Sequence, residues 1–442
     1  MNIAVIGAWH NAHVTAACLA SIGHHVTLVN PGREPWTEYP KLGIVEPELD
    51  ELVARSASRL GFANLGDAPP HEIVWLAIDT PLRQDGSPDV TELRVVLDRI
   101  RQPAQILVIS SQVPVGFCQS VERSGCSVVH VPENMQLGRA VRGFLSPDRI
   151  VIGATDKAAG DLVETLMYPA PEHPEIRLER RSRTVRCDLP TAEMIKHGTN
   201  AFLASSVSLA NELAMVGEQY GADMQLVGKA LKLDSRIGRK AYVRPGYGFG
   251  GGHLARDLYA LRAASSSDLP LINAVLRVND SVTEHVAKTA VSMLPPLQRT
   301  LAILGYTYKA DTDTLEGSPV KRLATRIRRI GRGAGGDVNV IGHDPRFDGR
   351  LDELSALDDY EDKQFGLSHP THMPWNALER KPDLPGGVGL FLVVTPLPAF
   401  KRLDWSRCAP AVVYDLCDGV DRAAVLAAGL SYKAIWQPTE IP

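Results

Sequence analysis

Cysteine is scarce and scattered in this sequence. Cys18, Cys118, Cys126, Cys187, Cys408 and Cys417 are the only six in 442 residues. They show neither CxxC spacing nor disulfide-rich density, so no metal site is expected, and reduced thiols in a cytoplasmic protein are the natural reading. Long hydrophobic runs are missing too: no apolar stretch approaches the ~20 residues needed to cross a bilayer. Nor is there an excess of either charge. With 47 Lys and Arg against 51 Asp and Glu the net charge is -4, which gives no electrostatic reason to expect nucleic acid or an anionic membrane as a partner. What is present is 44% hydrophobic and 22% charged residues, as in ordinary soluble globular proteins. The length is too great for one core and predicts two or three domains.

The first third alternates short β-branched runs with helical stretches. Strands are predicted at Ile3–Ile6, Val26–Val29, Ile73–Ile78, Ile106–Ile109, Val128–Val131 and Ile150–Ile152, with a helix through His13–Ala20. Near-continuous apolar strands between helices predict a parallel sheet covered on both faces, with ligands outside the carboxyl ends of the strands. From about Thr191 the pattern becomes one long helix. Pro190 lies just before it, Glu193 is in its first turn, and Lys196 and Asn200 are four residues apart on one side. A second helix is predicted over about Ile272 to Ser292. Strand-helix alternation then resumes with Leu301–Leu304, Val338–Ile341, Leu390–Val394 and Val412–Tyr414, interrupted by a turn at Gly331–Gly336 and a polar surface insertion over Asp352–His372. The fold class is α/β: two Rossmann-like, doubly wound sheets joined by a long central helical region.

The first strand-turn-helix reads Gly7-Ala8-Trp9-His10-Asn11-Ala12, where a dinucleotide fold carries GxGxxG. Gly7 keeps the tight turn and Ala12 is an accepted third position, but Trp9 replaces the glycine that lets backbone approach a pyrophosphate. Its side chain is expected to obstruct the usual cofactor pose. At the end of the second strand, Asn30 replaces the acid that grips the ribose hydroxyls, and Arg33 adds a nearby cation that suits a 2′-phosphate. NAD, NADP and no dinucleotide in the ordinary pose all remain open.

Further motifs follow in order. They are Thr80-Pro81 with Asp85-Gly86-Ser87, Ser111-Gln112-Val113-Pro114-Val115-Gly116, Pro132-Glu133 with Gly138, and Pro147-Asp148-Arg149. Next come Glu193 to Lys196, Asn200-Ala201-Phe202-Leu203, and Asp234-Ser235-Arg236-Ile237-Gly238. Gly248-Phe249-Gly250-Gly251-Gly252-His253-Leu254-Ala255-Arg256-Asp257 follows, and then Lys309, Asp311-Thr312-Asp313 and Ser318-Pro319. Across almost the whole chain these resemble the UDP-glucose/GDP-mannose (nucleotide-sugar) dehydrogenases. Gln112 stands at the threonine of their STVPxG segment, and the 248–257 run matches GFGGSCFPKD with His253 at its cysteine.

The resemblance implies a dinucleotide-binding domain at 1–190, a central helical domain at 191–295 forming a homodimer contact, and a nucleotide-sugar domain at 296–442. It implies NAD or NADP as cofactor, bound by Gly7, Trp9, Ala12, Asn30, Arg33, Thr80 and Gln112, and a UDP- or GDP-sugar as substrate. Arg236, Tyr247, Gly248, Phe249, Gly250, Gly251 and Lys309 would hold that substrate. Lys196, Asn200, Asp257 and Glu133 would be catalytic. The family carries two successive hydride transfers through a cysteine thioester, since a thiolate is both a good nucleophile and a competent leaving group. With His253 in that place the thioester half is expected to be lost, and His253 to serve as a proton acceptor or a hydrogen-bond donor to the new carbonyl. Cys417 also stands where a DGRN-like segment has its anion-binding arginine. The expected activity is one two-electron oxidation of a nucleotide-sugar alcohol to a carbonyl. A non-redox epimerase, lyase or hydrolase and a silent nucleotide-sugar-binding homologue stay open beside it.

Overall fold

The computed structural model describes residues 1–32, 34–40, 45–69, 71–83, 86–100, 105–122, 125–168, 183–250, 253–307, 309–310, 315, 318–334, 336–348, 371–372, 387–437 and 439–440. Arg33, Asp85, Gly251, Asp311–Asp313 and most of the predicted insertion lie outside the described residues. By packing the chain divides into two units: residues 1–200 with 256–268, and residues 201–255 with 269–442.

The first unit runs β1 (Asn2–Ile6), α1 (His10–Ser21), β2 (His25–Asn30), α2 (Leu49–Arg55), β3 (Leu60–Asn64), β4 (Ile73–Leu76), α3 (Thr91–Arg99), β5 (Ile106–Ile109), α4 (Phe117–Ser120), β6 (Ser127–His130), α5 (Ala140–Leu145), β7 (Ile150–Ala154), α6 (Lys157–Leu166) and β8 (Thr184–Cys187). Its eight strands lie in the order β3-β2-β1-β4-β5-β6-β7-β8. The expectation of an all-parallel sheet needs one correction, because β6 and β7 pair antiparallel. The alternation of side chains along β1 shows why both faces are covered. Ile3 and Val5 join the core against α1 and α6, while Ala4 and Ile6 join the one against α3.

Helix α7 (Leu189–Gln219) spans 31 residues and begins before Pro190, which therefore lies in its first turn, where a missing N–H costs nothing. It continues out of the first unit at Asn200. After it come α8 (Met224–Leu233), α9 (Leu254–Ala264) and α10 (Pro270–Ser292). The second sheet is built from β9 (Thr300–Leu304), α11 (Val320–Gly333), β10 (Asn339–His343), β11 (Thr371–His372), β12 (Val388–Val393), β13 (Val412–Asp415), α12 (Arg422–Ala427), β14 (Ser431–Ala434) and β15 (Thr439–Glu440). Its order is β11-β10-β9-β12-β13-β14-β15, with only β14 and β15 antiparallel. Leu301 and Ile303 pack toward α10 and α11, and Ala302 and Leu304 pack on the other face with Phe391 and Trp405. Gly331 lies within α11, where a turn was predicted: that helix continues to Gly333. In both sheets the order reverses beside the first strand, at β1/β4 and at β9/β12, and ligands bind outside such switch points. Among the described residues no helix is long and apolar enough to cross a membrane.

Candidate active site

Three loops leave the carboxyl ends of β4, β5 and β6 and are stitched together by side chains. The Ile78 amide donates to Ser111 Oγ at 2.9 Å, Ser110 Oγ to the Val131 carbonyl at 2.8 Å, and Thr80 Oγ1 to the Gln112 carbonyl at 2.5 Å. Thr80 is fully buried, so its hydroxyl is committed to this stitch. Arg256 of α9 joins from the other side. It forms an ion pair with Asp79 at 2.8 Å, donates to the Thr80 carbonyl at 3.3 Å, and donates to the Gln112 Oε1.

The centre of the cluster is Asp257, whose residue is 0% exposed. Asp257 sits in the first turn of α9, where the helix dipole favours a carboxylate. Gln112 Nε2 and Asn200 Nδ2 donate to it, and His197 Nδ1 meets it at 2.8 Å. The other ring nitrogen of His197 lies 2.9 Å from the Val113 carbonyl. Burial pushes the Asp257 carboxyl up. The bond and charge of His197, the charge of Lys196 and the bond of Asn200 outweigh it, and hold the carboxyl below its usual range.

Helical spacing places Lys196, His197 and Asn200 on one side of α7. Lys196 Nζ stands 3.8 Å from Glu133 Oε2, each side chain 9% exposed. That is an ion pair longer than a direct hydrogen bond, in a setting dry enough for the charges to matter. Behind them His130 bonds the Ile109 carbonyl at 2.8 Å. Burial, then the positive charges of His197 and Lys196, push it down to about 4 despite that bond. The structure thus brings together Lys196, Asn200, Asp257, Glu133, Gln112 and Thr80. The sequence reading missed His197 and Arg256, which complete the set. The only signal for His197 was its place beside Lys196 on the same helical face.

The glycine-poor turn is a separate feature of the first unit. A methyl group at Gly7 would lie 2.3 Å from the Ala77 carbonyl oxygen and 2.7 Å from the Ala12 Cβ, so both small residues are required. Trp9 is the extended residue ahead of α1, at φ -116° and ψ -179°, and no side chain caps that helix. Trp9 is 38% exposed, so it does not fill the turn as core. His10, next in the chain, bonds Glu46 at 2.7 Å, and Glu46 also accepts from the Gly138 and Ala140 amides at 2.8 and 2.9 Å. Asn30 is buried and turned inward. Its Oδ1 accepts from the Gly32 amide at 2.9 Å, and its Nδ2 donates to the Glu34 carbonyl at 2.7 Å. It braces its own loop.

In the second unit Gly248 has φ +105°, and a methyl group there would stand 2.6 Å from Asn279 Oδ1. Asn279, on α10, accepts from the Phe249 amide at 2.7 Å and donates to the Phe249 carbonyl at 3.2 Å. This buried asparagine fixes the glycine loop, and the sequence reading did not single it out. Burial, with Cys417 nearby, pushes the Tyr247 hydroxyl up. Arg236 is exposed and forks onto Asp234, with Nη2 at 2.7 Å and Nε at 3.0 Å. The Lys309 carbonyl accepts from Thr307 Oγ1 at 2.6 Å. Gly250 closes the described part of the loop, and His253 stands half-buried just ahead of α9. Asp415 accepts from the amides of Cys417, Gly419 and Val420, which fixes the turn that carries Cys417.

Comparison with known proteins agrees with this geometry. Residues 1–170 match the model of the UDP-glucose/GDP-mannose dehydrogenase family NAD binding domain, and residues 190–281 match that family's central domain. UDP-glucose 6-dehydrogenase of Rickettsia bellii is 32% identical over 339 residues, covering 72% of this chain and 76% of the relative. UDP-glucose 6-dehydrogenase TuaD of Bacillus subtilis is 30% identical over 368 residues, covering 78% and 76%. The fold matches that of a solved UDP-glucose dehydrogenase from Pyrobaculum islandicum, with TM-score 0.75, 24% identity, and coverage of 99% of this chain and 98% of that one. Matched by the family's models over residues 1–170 and 190–281 and by relatives of 30% identity or more across most of its length, the chain belongs to the UDP-glucose/GDP-mannose dehydrogenase family.

Proposed function

We propose that this protein is a nucleotide-sugar dehydrogenase that performs one two-electron oxidation of a UDP- or GDP-sugar alcohol and stops at the carbonyl. The observation that carries the reading is the contrast within one motif. Asp257 keeps its buried network with Asn200, beside the Lys196–Glu133 pair, while the cysteine position four residues earlier is His253. A lysine beside a buried carboxylate suits alcohol oxidation: Glu133 takes the hydroxyl proton and Lys196 Nζ stabilises the developing alkoxide. Without a thiol no acyl intermediate forms, and His253 donates a hydrogen bond to the product carbonyl or accepts a proton.

The residues fit a dinucleotide at the β1/β4 edge, since glycine at 7 lets the turn pack tightly against Ala77 and Ala12 and α1 opens without a side-chain cap. A bound nicotinamide supplies the hydride acceptor. Gly7 and Ala12 would hold it at the turn, on a rim narrowed by Trp9 and framed by the loops that Thr80 and Gln112 fix, with Asn30 contributing through the shape of its loop, and Arg33 serving a 2′-phosphate if the cofactor is NADP. Gly248, Phe249, Gly250, Gly251, Tyr247, Arg236 and Lys309 would hold the nucleotide sugar. The division of labour is 1–190 for cofactor, 191–295 for dimerisation together with Lys196, Asn200, Asp257 and the glycine loop, and 296–442 for the remainder of the nucleotide-sugar site, Lys309 included. An apolar stripe on α7, with Phe202, Leu209, Leu213 and Val216 all exposed at heptad-like spacing, supports a second copy of the chain as its cover.

Calorimetry with NAD, NADP and a panel of UDP-, GDP- and dTDP-sugars tests the reading. Binding of one dinucleotide and one sugar nucleotide is expected, with the dinucleotide held more tightly by Trp9→Gly. No dinucleotide binding at millimolar concentration, with sugar-nucleotide turnover continuing, would replace it with a non-redox enzyme.

A further inference from the structure

Hydrogen-bond bookkeeping around Asp257 fixes more than its position. Arginine has only donors, so the Gln112 side-chain oxygen must face Arg256 and its nitrogen must face Asp257. Asn200 offers Asp257 a second amide N–H. His197 bridges the Val113 carbonyl at 2.9 Å and Asp257 at 2.8 Å, so it holds the carboxyl from a third direction. A carboxylate that accepts from two side-chain amides, is flanked by His197 and has no exposed surface lacks a route to water, and its bonds favour the ionised form.

We infer that Asp257 is a fixed counter-anion rather than a proton carrier, and that Gln112, oriented by Arg256, is the positioning residue that closes it to water. Proton movement then belongs to Lys196 and Glu133. The charged and titratable groups facing the cluster are consistent: Lys196 and His197 from α7, Arg256 from α9, His130 and Glu133 at the end of β6, and Asp79 after β4. The charge of Lys196 favours the ionised carboxyl, and Arg256 orients Gln112 against it. A consequence bears on the lost thioester step. Hydrolysis of an acyl intermediate needs a base-held water, and with Asp257 closed by Gln112 only Glu133 is left to hold one.

The inference rests on the dehydrogenase reading only in its kinetic arm. The direct test uses full-length protein carrying 13C-carboxyl aspartate, with the Asp257 resonance assigned by its loss in Asp257→Asn. In the wild type that resonance is expected to stay flat from about pH 5 to about pH 9, a range over which a base poised for catalysis titrates. Titration within that range overturns the inference. In the kinetic arm Gln112→Glu keeps the shape and the Arg256 contact but sets one carboxylate against another. A roughly tenfold fall in kcat at neutral pH is expected, the loss of one charge-assisted hydrogen bond, recovered as the pH is lowered and the introduced carboxyl gains a proton. A pH-independent loss, or none, contradicts the role given to Gln112. Absence of any cofactor reduction by wild-type protein counts against the dehydrogenase reading alone, because the resonance test still decides this one.

Discussion

The two sheets have the same strand order around their first strands, yet they use the shared switch point differently. In the first, α1 begins at His10, four residues after β1 ends at Ile6; in the second, α11 begins only at Val320, after β9 ends at Leu304. A short turn brings a helix terminus up to the sheet edge, the arrangement that receives a pyrophosphate. A long one makes room for a loop bearing Gly305 and Lys309. Gly305 sits at φ +87°, where a methyl group would meet Thr395 at 2.5 Å. The polar groups differ as well. The first unit commits side chains to a closed network around Asp257, and the second commits backbone, held open by Gly248 and braced by Asn279. On the proposed reading, one topology supplies chemistry through buried side chains and recognition through glycine backbone.

The largest effect that would break this contrast is loss of the first unit's chemistry alone. Lys196→Met should lower kcat by roughly 10³-fold or more while calorimetry still finds nucleotide-sugar binding. Loss of both together would show that the two functions are not separately housed. Next in size is Gly248→Ala, which puts a methyl group 2.6 Å from Asn279 Oδ1 at a positive φ. It should weaken nucleotide-sugar binding about tenfold and cost on the order of 1–3 kcal/mol of stability, with dinucleotide affinity unchanged. Equal weakening of both ligands would contradict the division.

A smaller effect is an acid sensitivity carried by two buried histidines of the first unit. Burial, with the charge of His10, pushes His13 down to about 4, and burial does the same for His130. Both are neutral when folded and gain a proton near 6.5 once unfolded. Stability from these two is therefore complete above about pH 6.5 and is lost as pH falls toward 4, by up to about 3 kcal/mol each. Burial also pushes up the hydroxyls of Tyr39 in the first unit and of Tyr306, Tyr414 and Tyr432 in the second. Their contribution is complete below the usual tyrosine range near 10 and fades as pH rises through it. Denaturant titrations of His130→Gln between about pH 7 and about pH 4.5 should show a shallower acid decline than wild type. An identical decline would remove His130 from the account.

Much of this was legible in the sequence because apolar strands buried on both faces advertise themselves. Ile106–Ile109 was found to the residue. The missed strands are those the periodicity cannot mark. β3 reads Leu-Gly-Phe-Ala-Asn with a glycine and two exposed residues, and β8 is a half-exposed edge. The antiparallel pairing of β6 with β7 depends on partners, not on local pattern. In the site, motif positions identified Lys196, Asn200, Glu133 and Asp257, but their roles depend on contacts across long stretches of chain. Asp257 meets His197 across 60 residues and Gln112 across 145. Nothing local to Gln112 says that its amide will be held between an arginine and a carboxylate.

The central claim is that chemistry stops after one hydride, and stoichiometry tests it most directly. Purified protein, excess dinucleotide and a limiting nucleotide sugar that supports turnover are brought to completion, and reduced cofactor is counted against sugar consumed. One reduced cofactor per sugar, with a carbonyl product trapped by hydrazine, is predicted. Two per sugar with a free carboxylic acid would contradict the account and show that His253 has not ended the second oxidation.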